Sequence, residues 1–323
     1  MRLIFMGTPD FSVPTLEKLI ESEHEVVCCV TQEDKARGRS GKLTPTPVKE
    51  CALKNNIEVL TPIKIRNNVE FIEKLRTYNA DAIIVIAFGQ ILPTEVLNMT
   101  KYGCINIHAS LLPEYRGAAP IQWAVIDGLK ETGITIMQMD EGLDTGDIIN
   151  VKKIPIDKKE TGGSLFDKLA LLGPELLLDT LKLIEEGKVN AIKQDESKSS
   201  YAKKLDKKTG LIDFNQTSES IERLVRGLDP WPSAYTYFAG KMLKIWDCEC
   251  VDESDKQGGF GSNSSGDLYN PGKLLIKGKD KLFVKTKDGF LSINELQLEG
   301  KKRMDTKSFL LGINQDKLPD YLG

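Results

Sequence analysis

Ala82-Ile83-Ile84-Val85-Ile86-Ala87 is an unbroken apolar run rich in β-branched residues, the pattern of a central strand buried on both faces. Downstream of it, Cys104-Ile105-Asn106-Ile107-His108 reads as the next strand. Upstream, Phe71, Ile72 and Leu75 mark a helix, Ile57 to Leu60 a short strand, and Val48 to Lys54 another helix. Val26 to Val30 and Leu3-Ile4-Phe5-Met6 are further strands, separated by a helix that opens at Pro14 and puts Leu16, Leu19 and Ile20 on one face. This alternation predicts a doubly wound, Rossmann-like α/β sheet with helices on both sides. Beyond the run, Ile134 to Met139 and Ile148 to Ile154 predict two strands flanking an acidic loop. An amphipathic helix follows from about Leu165 to Glu186, with Gly187 as its stop.

After residue 188 the pattern changes. Residues 189–208 are polar and lysine-rich and read as a linker between a first domain, 1–188, and a second, 209–323. A chain of 323 residues suits two domains. In the second, a helix at Ser218 to Arg226 precedes Asp229-Pro230-Trp231-Pro232. Short strands at Tyr235 to Phe238, Met242 to Asp247, Lys273 to Ile276, Leu282 to Lys285 and Phe290 to Leu298 predict a small closed β-barrel. Gln257 to Asp267, rich in Gly and Ser, reads as a mobile loop.

A net charge of -3 provides no global attraction to nucleic acid, so any RNA contact must rest on a local basic patch. The longest apolar stretch, Ala80 to Leu92, is broken by Asp81, Gly89 and Gln90 and falls short of the ~18 residues of a membrane span. The first apolar segment is too short for a signal peptide. A soluble cytoplasmic protein is expected, with no membrane partner. The six cysteines contain no C-x-x-C and the chain has two histidines, which argues against a metal site and for buried free thiols. His24, among Glu21, Glu23 and Glu25, reads as a surface residue.

Chemistry concentrates at the end of the second quoted strand. His108 precedes Ser110-Leu111-Leu112-Pro113, at the carboxyl end of a strand, where open α/β sheets bind ligands. Asn106, two residues earlier, shares its face, so an amide N–H and an imidazole project together. That pair can hold a developing oxyanion and move a proton. The loop from Met139 to Asp147 supplies a carboxylate, and the residues alone leave Asp140, Asp144 and Asp147 open. Arg116 either anchors its own loop or meets an anionic ligand. Lys35, Arg37, Arg39 and Lys42 place four cations in eight residues on a Gly-containing loop suited to phosphate contacts. Met6-Gly7-Thr8-Pro9-Asp10 lacks the G-x-G-x-x-G dinucleotide fingerprint, which argues against a nicotinamide-dependent oxidoreductase.

The run from Asn106 to Pro120, with Met6 to Phe11, the basic loop, Asp140 to Asp147, Gly227 to Thr236 and Leu296 to Lys302, resembles the folate-dependent formyltransferase family along nearly the whole chain. Ser233 stands where many relatives have Gly, a minor departure. The resemblance implies a folate-binding first domain and an OB-like barrel that helps hold tRNA. It implies 10-formyltetrahydrofolate as donor and methionyl initiator tRNA as acceptor, with no metal, in a monomer. It assigns catalysis to Asn106, His108 and Asp144. The folate carrier falls to Phe88, Gly89, Ile91, Leu92, Ser110, Leu111, Leu112, Pro113 and Asp140, and the loop carrying Arg39 is directed at the acceptor end of the tRNA. A formyltransferase for another amine, or a formylfolate hydrolase, shares the trio; the basic loop and the barrel favour tRNA. A non-catalytic RNA-binding protein accounts for the basic loop and the barrel but not for Asn106 beside His108.

Overall fold

The computed structural model describes residues 1–37, 42–251, 270–313 and 318–323. In chain order it begins with β1 (Arg2–Gly7), α1 (Val13–Ile20), β2 (Glu25–Val30), β3 (Lys35–Arg37), β4 (Lys42–Thr44), α2 (Pro47–Lys54) and β5 (Val59–Leu60). Then come α3 (Val69–Thr77), β6 (Ala82–Ile86), α4 (Thr94–Leu97), β7 (Cys104–His108), β8 (Arg116–Gly117), α5 (Pro120–Ile126), β9 (Glu131–Gln138), β10 (Ile148–Pro155), α6 (Gly162–Glu185) and β11 (Tyr201–Ala202). The remainder holds α7 (Ser218–Gly227), β12 (Ala234–Phe238), β13 (Lys241–Val251), β14 (Leu274–Lys277), β15 (Lys281–Lys285), β16 (Phe290–Leu298), β17 (Met304–Asp305) and α8 (Thr306–Leu311).

The chain divides into two units. One comprises Met1–Pro120, Glu131–Pro155 and Leu165–Lys203; the other comprises Ile121–Lys130, Ile156–Ser164 and Lys204–Gly323. In the first, a seven-stranded sheet runs β10-β9-β7-β6-β1-β2-β5. Its five strands from β5 to β7 are parallel, while β9 lies antiparallel to β7 and β10 antiparallel to β9. Every residue of β6 is buried, because β1 and β7 flank it and helices cover both faces. Ile83 and Val85 pack with Ile72 and Leu75 of α3 and with Val96 and Leu97 of α4. On the other face α6 passes so near β7 that a Cβ at Gly173 would lie 3.4 Å from the Ile107 side chain. Each fully buried Ile or Val stabilises this layer by roughly 1.5–3 kcal/mol. Strand β10 is an edge, and its exposed Lys152 and Lys153 discourage further pairing.

Helix starts follow local chemistry. The Thr46 hydroxyl accepts from the Lys49 N–H ahead of α2, and the Asn68 side chain accepts from Phe71 N ahead of α3. Gly187, at φ +64°, follows the end of α6 as expected of a helix stop. His24 overturns its surface assignment. It is buried, with Nδ1 3.2 Å from the Met1 amine, because the parallel pairing of β1 with β2 brings the two chain segments together. Burial, and then the neighbouring ammonium, hold its imidazole below the usual histidine range.

The second unit carries an antiparallel sheet in the order β12-β13-β16-β15-β14, with β17 paired to β16. Leu243, Ile245, Leu291 and Leu296 form its core with Ile221 and Val225 of α7 and Phe309 of α8. The sequence pattern predicts a closed barrel. Among the described residues no pairing joins β12 to β14, both of them short strands, so the architecture stands as an antiparallel sheet backed by helices. The stretch from Gln257 to Asp267 lies outside the described residues. No helix among the described residues is long and apolar enough to cross a membrane.

Candidate active site

Strand β7 brings the first two expected residues together. Asn106 and His108 alternate with Ile105 and Ile107, so they share the face that carries Cys104. Both are nearly buried. Among the described residues the Asn106 side chain makes no hydrogen bond, leaving its amide N–H available. The Val85–Asn106 register places the turn after β6 beside the end of β7.

The imidazole is held at one end. His108 Nε2 lies 2.9 Å from the Tyr115 carbonyl. A carbonyl only accepts, so Nε2 carries the hydrogen and donates. Nδ1 is therefore the nitrogen left for proton exchange, and it lies 3.7 Å from Asp144 Oδ2. That gap is longer than a hydrogen bond, so the carboxylate faces the ring nitrogen without bonding it directly.

The carboxylate arrives by an indirect path. Because β9 is antiparallel to β7, the loop after it leaves from the opposite end of β7, with Met139 N bonded to the Cys104 carbonyl. It doubles back over the Asn106–His108 face before Gln138 N closes it on the Asp147 carbonyl. Asp140 Oδ1 turns inward to Gly142 N and Thr145 Oγ1, while Asp144 Oδ2 accepts from Gly117 N at 2.8 Å. Of the three acids, Asp144 is the one beside the ring.

The dipeptide strand β8 joins both partners, since the Tyr115 carbonyl precedes it and the Gly117 N–H belongs to it. Arg116 between them is fully buried. Its Nε and Nη2 donate to Gln194 Oε1 at 3.1 and 2.8 Å, and Nη1 and Nη2 reach Glu196 at 2.9 and 2.7 Å. Arg116 is thus a loop anchor, the first of the two readings left open. The guanidinium holds the Glu196 carboxyl below its usual range, and the carboxylate raises the Arg116 pKa in turn. Gln194 Nε2 donates to the Asp144 and Gly146 carbonyls at 2.9 and 2.7 Å. Sequence reasoning missed Gln194, Glu196 and the Tyr115 carbonyl. Gln194 and Glu196 sit in a polar stretch whose composition signals only solvent, and a backbone carbonyl has no signature in the sequence.

The residues proposed for the folate carrier fall on the loops around this face. Phe88 is buried and its carbonyl accepts from Thr8 Oγ1 and Gln32 Nε2, while Gly89 takes φ +85°. Leu92 packs into the core; Ile91 is exposed. Ser110 and Leu112 are buried, bonded through the Thr135 hydroxyl, with Leu111 and Pro113 half-buried around them. Thr94 Oγ1 donates to Glu141 Oε1 at 2.7 Å and ties the 88–94 segment to the acidic loop, on which Leu143 is exposed and Asp140 lies. Lys35, Arg37 and Lys42 lie on the hairpin β3–β4, where Arg37 pairs with Lys42; Arg39 lies outside the described residues.

Two family models match the chain: formyl transferase over residues 1–181, and formyl transferase, C-terminal domain, over residues 204–314. A methionyl-tRNA formyltransferase of Lachnospira eligens is 54% identical over 312 residues, covering 97% of this chain and 96% of that protein. One from Agathobacter rectalis is 52% identical over 317 residues, covering 98% of each. Among solved structures, an N-formyltransferase from Helicobacter canadensis in complex with folinic acid and dTDP-3-aminofucose superposes with a TM-score of 0.65 at 19% identity. That match covers 94% of this chain and 99% of the other, and at this identity it speaks to the fold.

Proposed function

Because the chain belongs to the methionyl-tRNA formyltransferase family, we propose that it transfers the formyl group of 10-formyltetrahydrofolate to the α-amine of methionyl initiator tRNA. The observation that carries the chemistry is the free Asn106 amide and the Nδ1 of His108 on one strand face, with the Asp144 carboxylate 3.7 Å from that nitrogen.

A free α-amine has a reference pKa of about 7.7–8.0, so a useful fraction is a neutral nucleophile near neutrality and no covalent enzyme intermediate is required. Attack on the formyl carbon forms a C–N bond and an oxyanion, which the Asn106 N–H and the imidazole stabilise. Collapse breaks the bond to the folate nitrogen. The proton lost by the amine reaches that leaving nitrogen through His108 Nδ1. Asp144 stabilises the ring while it is charged, directly or across one water.

In this reading Phe88, Gly89, Ile91, Leu92, Ser110, Leu111, Leu112, Pro113 and Asp140 hold the folate. Lys35, Arg37, Arg39 and Lys42 meet the tRNA phosphates near its acceptor end. We read the antiparallel C-terminal sheet as an OB-like module that adds to the tRNA surface; of the stretch 189–208 expected as a linker, residues up to Lys203 belong to the first unit, where Gln194 is buried and β11 pairs with β8. The protein acts as a cytoplasmic monomer. The test mixes it with 10-formyltetrahydrofolate and, in separate arms, methionine-charged initiator tRNA, methionine-charged elongator tRNA or an amino-sugar nucleotide. Formylmethionyl product in the initiator arm alone is expected. Product in the sugar arm, or none in the tRNA arms, overturns the proposal.

A further inference from the structure

We propose that Gln194 is a positioning residue for the formyl transfer: its side-chain amide fixes the Asp144 segment against the strand that holds His108. The inference rests on the proposed role of Asp144, and the experiment below separates the two.

The amide is used to capacity. Its two N–H groups go to the Asp144 and Gly146 carbonyls, and its oxygen takes two donors from Arg116. Chemistry fixes its orientation, since arginine only donates and carbonyls only accept. Gln194 is itself buried, so water does not compete for these bonds. The loop it holds has little freedom elsewhere. Asp144 stands at φ +55°, a backbone region costly for a residue other than glycine, and a Cβ at Gly146 would lie 1.7 Å from the Gln138 carbonyl oxygen. One amide thus grips the backbone of the acid and that of the residue two positions on.

Its other end is equally placed. Arg116 is flanked by the two backbone groups that touch the catalytic pair, the Tyr115 carbonyl on His108 and the Gly117 N–H on Asp144. Gln194 therefore ties the acid's segment to the arginine of the strand that contacts both base and acid. Ser200 and Ala202 lock that strand from outside: Tyr115 N donates to Ser200 Oγ, Arg116 N donates to the Ser200 carbonyl, and β8 pairs with β11. An error of about 1 Å in such a pair can cost ~10²-fold in rate.

Gln194→Glu is the discriminating substitution. It preserves shape and keeps an acceptor for Arg116, but removes both donors to the 144–146 backbone. It is expected to lower kcat by roughly 10–100-fold, the range typical of lost outer-shell partners, with KM for folate and tRNA within about twofold of wild type. Gln194→Ala should act in the same direction. In an Asp144→Asn background, Gln194→Ala should reduce kcat by less than about threefold further, because both changes remove the same contribution. Near-wild-type kcat in Gln194→Glu, losses confined to KM, or losses that multiply in the double variant would overturn the proposal. So would two Gln194 variants that fail to fold, since the amide would then serve the fold alone. If Asp144→Asn itself leaves kcat intact, the assignment of Asp144 falls instead.

Discussion

Asn106→Ala removes one N–H aimed at the reacting carbonyl, and loss of such a donor typically lowers kcat by ~10²–10³-fold. His108→Ala removes the proton carrier, worth ~10²–10⁴-fold. Neither side chain lies on the basic hairpin, so KM for tRNA should stay within about twofold of wild type. Steady-state kinetics with varied tRNA decide the matter; wild-type kcat in either variant would end the assignment. At this scale the strand half of the site is legible in the sequence, because a two-residue spacing forces Asn106 and His108 onto one face. The choice among three acids is not. It depends on which carboxylate turns inward to its own loop, as Asp140 does toward Thr145, and which faces outward to Gly117 N. Both outcomes are compatible with the same run of Gly and Asp.

Among the elements, β8 has the tightest tolerance. Gly117 stands at φ +114°, and a Cβ there would lie 2.8 Å from the Ala202 carbonyl oxygen in β11. Gly117→Ala therefore meets strain and a backbone clash together, and should destabilise the protein by roughly 1–3 kcal/mol. It should also depress kcat, since displacing β8 moves the N–H that holds Asp144; a thermal melt beside an activity assay reads both, and an unchanged melting point would contradict the packing described. The hairpin β3–β4 gives an independent prediction. Arg39→Ala should weaken tRNA binding and reduce the salt slope by about 1 if the residue meets a phosphate. An unchanged slope in a binding titration removes the hairpin from the tRNA surface. Apolar periodicity revealed the strands and helices of the first sheet, but not the direction of β9. A strand pattern is the same read parallel or antiparallel, and that direction sends the Asp144 loop back across the face of β7. The pairing of β11 with β8 was equally hidden, because two residues in a lysine-rich stretch carry no periodicity.

For the whole molecule, the cysteines offer a readout of the two units. Five of the six thiols are buried, and Cys250 is exposed. Burial pushes Cys28 and Cys104 up to about 12, and raises Cys29, Cys51 and Cys248 as well. The thiolate is the reactive form, so at pH 8 these five are protected both by access and by charge. A thiol reagent should modify one cysteine rapidly in the native protein, and Cys250→Ser should abolish that fast phase. Cys248 belongs to the second unit and the other four to the first. Labelling in rising urea, counted by mass and located by peptide mapping, then follows each unit by its own thiols. A single step that exposes all five together means the units unfold as one, whereas separate steps of one and four thiols mean that each holds its own core, as the distinct apolar clusters around Ile83 and Leu291 predict. More than one rapid label in the native state would contradict the burial on which both readings stand.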